Sequence, residues 1–173
     1  MPNEQTDIII LRGCPGSGKS QTAKSLSNFF PKGVRMEVDN IRQMVISVDW
    51  KNQQEHIDML QASTKLVFEF LQFGFNPVIV VDTFSGDKVN KYLDTLYQLD
   101  NNLSIKTFGL FTTDEELKKR LELRSNTDFK DFTICKKLND DVQKIKCSNM
   151  WRCCDMASIF RRAFSCVWRR DIS

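Results

Sequence analysis

The chain has 173 residues, 41% of them hydrophobic and 27% charged, enough for one domain with a real core and too few for two. Its 25 basic and 22 acidic side chains leave a net charge of +3, which selects no class of partner. The polar, acidic start and the lack of a membrane-length apolar run argue against a secretory signal and a membrane span, so a soluble, cytoplasmic protein is expected. Six cysteines without C-x-x-C spacing and a lone histidine, His56, give a zinc site little support and favour free thiols.

In chain order, the apolar run Ile8-Ile9-Ile10-Leu11 predicts a strand over residues 7 to 12, and it leads straight into Gly13-Cys14-Pro15-Gly16-Ser17-Gly18-Lys19-Ser20. Ala23, Leu26, Phe29 and Phe30 recur near helical spacing after it, until Pro31-Lys32-Gly33 ends the pattern. A second strand is expected over 34 to 38, followed by Asp39-Asn40-Ile41-Arg42. Ile57, Leu60, Leu66, Val67, Phe70 and Leu71 mark a long helix ending near Gly74 and Asn76-Pro77, with Trp50 ahead of it as a packing residue or an acceptor-pocket wall. His56 reads as a residue of that helix's surface rather than as a catalyst. Strands follow over 78 to 82 and 105 to 111, and helices over 87 to 99, 114 to 124 and 132 to 146, the last two separated by the polar turn 125 to 131. This alternation predicts a three-layer α/β fold, a parallel sheet with helices on both faces. Residues 1 to 146 form that domain. From Cys147 to Ser173 the composition turns basic and rich in cysteine and tryptophan, with no clear fifth apolar strand. Ile159, Phe160, Ala163, Phe164 and Val167 fit the stripe of a terminal helix packed on the same domain, or of a basic amphipathic helix meeting an anionic surface.

The segment from Gly13 to Ser20 is a complete G-x-x-x-x-G-K-[ST] phosphate loop between a strand and a helix, and it predicts a bound nucleoside triphosphate. Glycines let consecutive amides converge on phosphate oxygens, Lys19 reaches the β and γ phosphates, Ser20 can place its hydroxyl on magnesium, and the helix that follows points its positive end at the anion. Cys14 sits at a position that tolerates most residues and reads as filler rather than as a redox group. Asp39 lies just past the second strand, at the sheet edge where ligands bind, and can act as a general base toward an attacking hydroxyl or cap the next helix. Asp82 closes the buried run Val78-Ile79-Val80-Val81, where a Walker-B-like carboxylate near magnesium or a turn aspartate would both fit. Arg120 and Arg124 are four apart on one helical face, suited to the triphosphate, although Glu116 before Arg120 also fits an ordinary surface ion pair.

Together the loop, Asp39-Asn40-Ile41-Arg42, Val80-Val81-Asp82-Thr83, Arg120 and Arg124 resemble the P-loop kinase domain of the phage-type polynucleotide 5′-hydroxyl kinases over residues 7 to 146. Chloramphenicol kinases and zeta-type toxin kinases share much of that plan. The resemblance implies a P-loop NTPase fold of adenylate-kinase-like strand order, with ATP and Mg2+ as cofactors. It implies Asp39 as general base, Arg42 contacting the acceptor and Asp82 orienting the acceptor side. Arg124, with Arg120 behind it, would clasp the phosphates from a small lid over 120 to 131. The expected activity is transfer of the γ phosphate to a hydroxyl, favouring a nucleic-acid 5′ end. A kinase of a nucleoside, nucleotide or antibiotic and a non-catalytic ATP-binding regulatory module are the alternatives. No phosphatase segment accompanies the kinase half.

Overall fold

The computed structural model describes residues 6–125, 128–144 and 149–152. In chain order the elements are β1 (Ile8–Gly13), α1 (Lys19–Ser27), β2 (Val34–Glu37), α2 (Val38–Arg42), α3 (Gln53–Gln72), β3 (Val78–Asp82), α4 (Lys88–Leu99), β4 (Ile105–Phe111), α5 (Asp114–Glu122), α6 (Phe132–Lys144) and β5 (Asn149–Arg152). Every strand pairing is parallel, and the sheet runs β2-β3-β1-β4-β5, the adenylate-kinase-like order that was expected.

Parallel strands buried on both faces need unbroken apolar runs, and β1 and β3 supply them. Residues 8 to 11 and 78 to 81 are at most 2% exposed, so each contributes about 1.5–3 kcal/mol of burial. Alternation divides them between two cores. Ile8, Ile10, Val78 and Val80 meet Leu60 and Val67 of α3 and Val89, Tyr92 and Leu96 of α4, whereas Ile9, Leu11, Ile79 and Val81 meet Ala23 and Leu26 of α1. A third cluster joins Cys14 to Leu117 and Leu121 of α5 and Cys135 of α6, laying those two helices against the phosphate loop. Thr113 caps α5 by accepting a bond from the Glu116 amide, and Asp114, Glu115 and Glu116 complement the helix dipole in its first turn.

Three expectations about local structure shift. The second strand stops at Glu37, and Val38 opens the short helix α2, so Asp39 lies inside the first turn of a helix whose N-cap is Glu37. The capping alternative for Asp39 therefore does not hold. Residues 149 to 152 form a fifth strand beside Phe108–Phe111, which carries the sheet past residue 146. Asn149-Met150-Trp151-Arg152 has no apolar run to announce it, and an edge strand does not require one. The terminal stripe from Ile159 to Val167 lies outside the described residues.

Candidate active site

Strands β1, β2 and β3 end together at the carboxyl edge of the sheet, where the phosphate loop, Glu37 with the first turn of α2, and Asp82 meet. The loop's shape depends on glycine at specific positions. Gly16 and Gly18 hold φ of 84° and 92°, the left-handed region that side chains disfavour. A Cβ on Gly13 would stand 2.4 Å from Ser17 Oγ and 2.7 Å from the Leu110 carbonyl oxygen, closer than any side chain permits. The Ser17 amide donates to the Cys14 carbonyl at 3.1 Å and the Thr22 amide to the Gly18 carbonyl at 2.9 Å. Among the described residues Ser17 Oγ is buried without a hydrogen-bond partner, the kind of orphaned group that an incoming ligand can satisfy.

Lys19 opens α1 and donates from Nζ to the Cys14 carbonyl at 3.3 Å. Desolvation lowers its pKa, against the opposing pull of Asp82, Cys14 and Asp39, and Arg124 adds repulsion. These charges share one electrostatic neighbourhood, yet among the described residues no ion pair within 4 Å joins Lys19 to either carboxylate. Ser20 Oγ donates to Glu37 Oε2 at 2.9 Å. Glu37 was not anticipated; its signal was a carboxylate on the last residue of β2, one place before the expected end of that strand. No group of three or more His, Cys, Asp or Glu among the described residues forms a metal cage. Magnesium, which keeps most of its waters and takes one or two carboxylates plus phosphate oxygens, suits the Ser20–Glu37 pair.

Asp39 is exposed. Loss of hydration raises its pKa first and repulsion from Asp82 second, offset by Lys19, His56 and Arg42. A carboxyl tuned upward in this way is a stronger base once ionised. Asp82, 4% exposed, accepts from the Phe84 amide at 2.8 Å through Oδ2 and lies 3.1 Å from His56 Nε2 through Oδ1. The turn reading of Asp82 and its position at the site therefore coexist. Phe84 sits at φ 47°, a strained region for a non-glycine residue costing of order 1–3 kcal/mol, and its ring is fully buried against Tyr92 at 5.0 Å.

Arg42 is placed differently from the expectation of an acceptor contact. It is 4% exposed, its Nε bonds Glu55 at 3.0 Å, its Nη2 bonds the Asp49 and Asn52 carbonyls, and the guanidinium lies 4.9 Å from the centroid of Trp50. The side chain staples the segment between α2 and α3. Arg120 bonds Glu116 at 2.8 Å, as its spacing foretold, and also reaches the Ser17 carbonyl in the phosphate loop at 3.4 Å. Arg124 follows α5, 3.7 Å from Asp128, with Nε buried and without a partner among the described residues. The expected lid span contains the end of α5 and its connection to α6, with residues 126 and 127 outside the described set.

Cys14 is fully buried, and burial pushes its thiol up to about 12, which fits an inert filler. His56 departs from its surface assignment: it is 9% exposed and bonded on both ring nitrogens. Asn139 of α6 was also missed. Fully buried, it accepts from the Thr112 amide at 3.1 Å, donates to the Thr112 carbonyl at 2.9 Å, and receives Cys14 Sγ at 3.8 Å. Among the described residues, no helix is long and apolar enough to cross a membrane.

Solved structures share this architecture at low identity. A sugar kinase from Janibacter aligns with a TM-score of 0.66 and 16% identity over 92% of this chain and 93% of its own. The APS kinase of Mycobacterium tuberculosis, in complex with AMPPNP and APS, gives 0.68 and 12% over 95% and 99%. A chain of the Pnkp1/Rnl/Hen1 RNA repair complex gives 0.68 and 22% over 82% of this chain, which spans only 45% of that longer one. At these identities the likeness establishes the P-loop kinase fold. No curated protein sequence matches the chain. The sequence profile described as AAA domain matches residues 8–143, from the first residue of β1 into the last turn of α6 with the phosphate loop included, and the chain belongs to the AAA domain family.

Proposed function

We propose that this protein is an ATP- and Mg2+-dependent phosphotransferase that moves the γ phosphate to a hydroxyl, with a nucleic-acid 5′-hydroxyl as the favoured acceptor. The observation that carries the reading is the convergence of Lys19, Asp39 and Asp82 at one sheet edge, each within the electrostatic influence of the others. The loop amides from Gly13 to Ser20 and the Lys19 ammonium hold the β and γ phosphates. Asp39 accepts the proton of the attacking hydroxyl, and Arg120 and Arg124 offset charge developing on the transferred group. Magnesium held at Ser20, with Glu37 beside it, neutralises phosphate charge when bound.

A small-molecule acceptor is the second reading, and Arg42 favours it. The side chain expected to grip a nucleic-acid end has Nε and Nη2 bound to its own chain. The RNA repair complex supports the first reading by its name and the sugar kinase the second.

Titration with Mg-ATP followed by a transfer screen over 5′-hydroxyl oligonucleotides, nucleosides and small alcohols tests both. Lys19→Ala is expected to abolish binding. Asp39→Asn is expected to keep binding and lose at least about a hundredfold in transfer rate. Equal turnover by Asp39→Asn refutes Asp39 as base, and transfer to small alcohols alone selects the second acceptor class.

A further inference from the structure

A chain of hydrogen bonds runs behind the candidate site, from α4 through α3 to the end of β3. Lys88 Nζ, at the start of α4, lies 3.1 Å from His56 Nδ1 and donates to Gln53 Oε1 at 2.9 Å. His56 Nε2 lies 3.1 Å from Asp82 Oδ1, and the Phe84 amide donates to the other oxygen at 2.8 Å. An ammonium offers only donors, so Nδ1 must accept, and a neutral ring then carries its proton on Nε2 and donates to Asp82. A proton on Nδ1 would point at a cation. The chain therefore has one direction, Lys88 to His56 to Asp82, and it fixes both the tautomer and the carboxylate.

The arrangement addresses a competition. The Lys19 ammonium is the cation that the phosphates need, and Asp82 is the carboxylate that acts most strongly on it. A carboxylate free to rotate would move toward Lys19 and form an ion pair that a nucleotide must then break. Asp82 has both oxygens held, one by the imidazole and one by the amide of a residue in left-handed conformation, and it stays more than 4 Å from Lys19.

We propose that His56, oriented by Lys88, is a positioning residue that holds Asp82 away from Lys19 and so keeps the phosphate-loop lysine available to nucleotide. The role rests on the nucleotide-binding reading above. It predicts a specific pattern of defect and repair. His56→Leu removes the donor, releases Asp82 onto Lys19 and weakens binding of Mg-AMPPNP about five- to tenfold. His56→Gln keeps an N–H donor and binds close to wild type. Adding Asp82→Asn to His56→Leu removes the competing charge and restores affinity, a reversal that a merely structural histidine would not show.

Calorimetric titration of the full chain with Mg-AMPPNP reads the affinities. His56 is the only histidine in the sequence, so nitrogen-15 spectra of the imidazole report its tautomer without assignment. The expected spectrum is an Nε2-protonated ring at neutral pH, with Nδ1–H appearing in Lys88→Met. Should His56→Leu fail to fold, Lys88→Met and His56→Gln carry the test. A wild-type ring protonated at Nδ1, or a folded His56→Leu that binds as tightly as wild type, overturns the proposal. So does an Asp82→Asn addition that restores nothing. If wild type itself takes up no Mg-AMPPNP, the kinase reading fails and the role for His56 with it, whereas normal wild-type binding with an unaffected His56→Leu removes the role alone.

Discussion

Asn139 is where α6 most directly supports the phosphate loop, and its removal has a calculable cost. Thr112 follows β4, and at 3% exposure water cannot replace a partner for its amide and carbonyl. The Asn139 carboxamide supplies both partners, at 3.1 and 2.9 Å, and its oxygen also receives Cys14 Sγ. Asn139→Ala leaves two backbone groups buried and unbonded, each worth about 1–3 kcal/mol, for a total of about 2–6 kcal/mol. That is a large part of the 5–15 kcal/mol typical of a whole domain, and at about 2–4 °C per kcal/mol for a chain of this size it lowers Tm by roughly 4–24 °C. Asn139→Asp sharpens the test. It keeps an acceptor for the Thr112 amide but turns a second acceptor toward the Thr112 carbonyl, so it is expected to cost as much despite its matched shape. Scanning calorimetry of the three proteins measures both. Melting of both variants within about 2 °C of wild type would refute the claim that this carboxamide completes the hydrogen bonding of β4.

The Arg42 staple gives another prediction. Arg42→Met deletes three hydrogen bonds and leaves Glu55, at 17% side-chain exposure, without its cation. The cost is about 3 kcal/mol, the lower end for a broken buried pair, and limited proteolysis between residues 43 and 52 should accelerate; unchanged cleavage and melting would show that the segment holds without it. For pH, the folded state raises the Cys14 thiol from 9.0 to about 12. The unfolded chain therefore releases this proton first, and the stability associated with Cys14 is intact below about pH 9 and falls as pH rises toward 12, by at most about 1.4 kcal/mol per unit. The stability advantage of wild type over Cys14→Ala should narrow between about pH 9 and pH 12 in urea melts. Parallel curves would contradict the burial of that thiol.

The parts of the fold readable from sequence are those whose physics is local. Ile8 to Leu11 and Val78 to Val81 announce strands buried on both faces because each is a short apolar run rich in β-branched residues and bounded by Gly or Pro, and β3 and β4 end where expected. The phosphate loop is legible because each residue type answers a separate steric or electrostatic demand. Arg42 misled for the opposite reason. An arginine one turn beyond Asp39 has the right spacing for a phosphate or an acceptor, and no sequence pattern shows that Glu55 and two carbonyls from a turn 7 to 10 residues on would take its donors first.

His56 shows how near the missing signal was. A helix read from Ile57 and Leu66 puts them on the inner face, yet both are exposed, at 37% and 40%. The buried stripe is His56, Leu60, Ser63, Thr64 and Val67, which keeps Leu60 and Val67 of the expected face, with Phe70 and Leu71 packed against the same core, and adds three polar residues. It spans intervals of 4, 3, 1 and 3 and is as good a helical face as the one expected. Hydrophobicity passed over His56, Ser63 and Thr64 because they are polar, yet each is satisfied by a hydrogen bond in the folded chain. Ser63 Oγ meets Tyr92 Oη at 3.0 Å and the Leu60 carbonyl, Thr64 Oγ1 donates to the Gln61 carbonyl, and His56 joins Asp82 to Lys88. A polar face turned into the core costs stability unless it is bonded throughout. Here that bonding leads from α4 across α3 to Asp82 at the end of β3, so the polar positions that hydrophobic periodicity passed over connect the core to the candidate site.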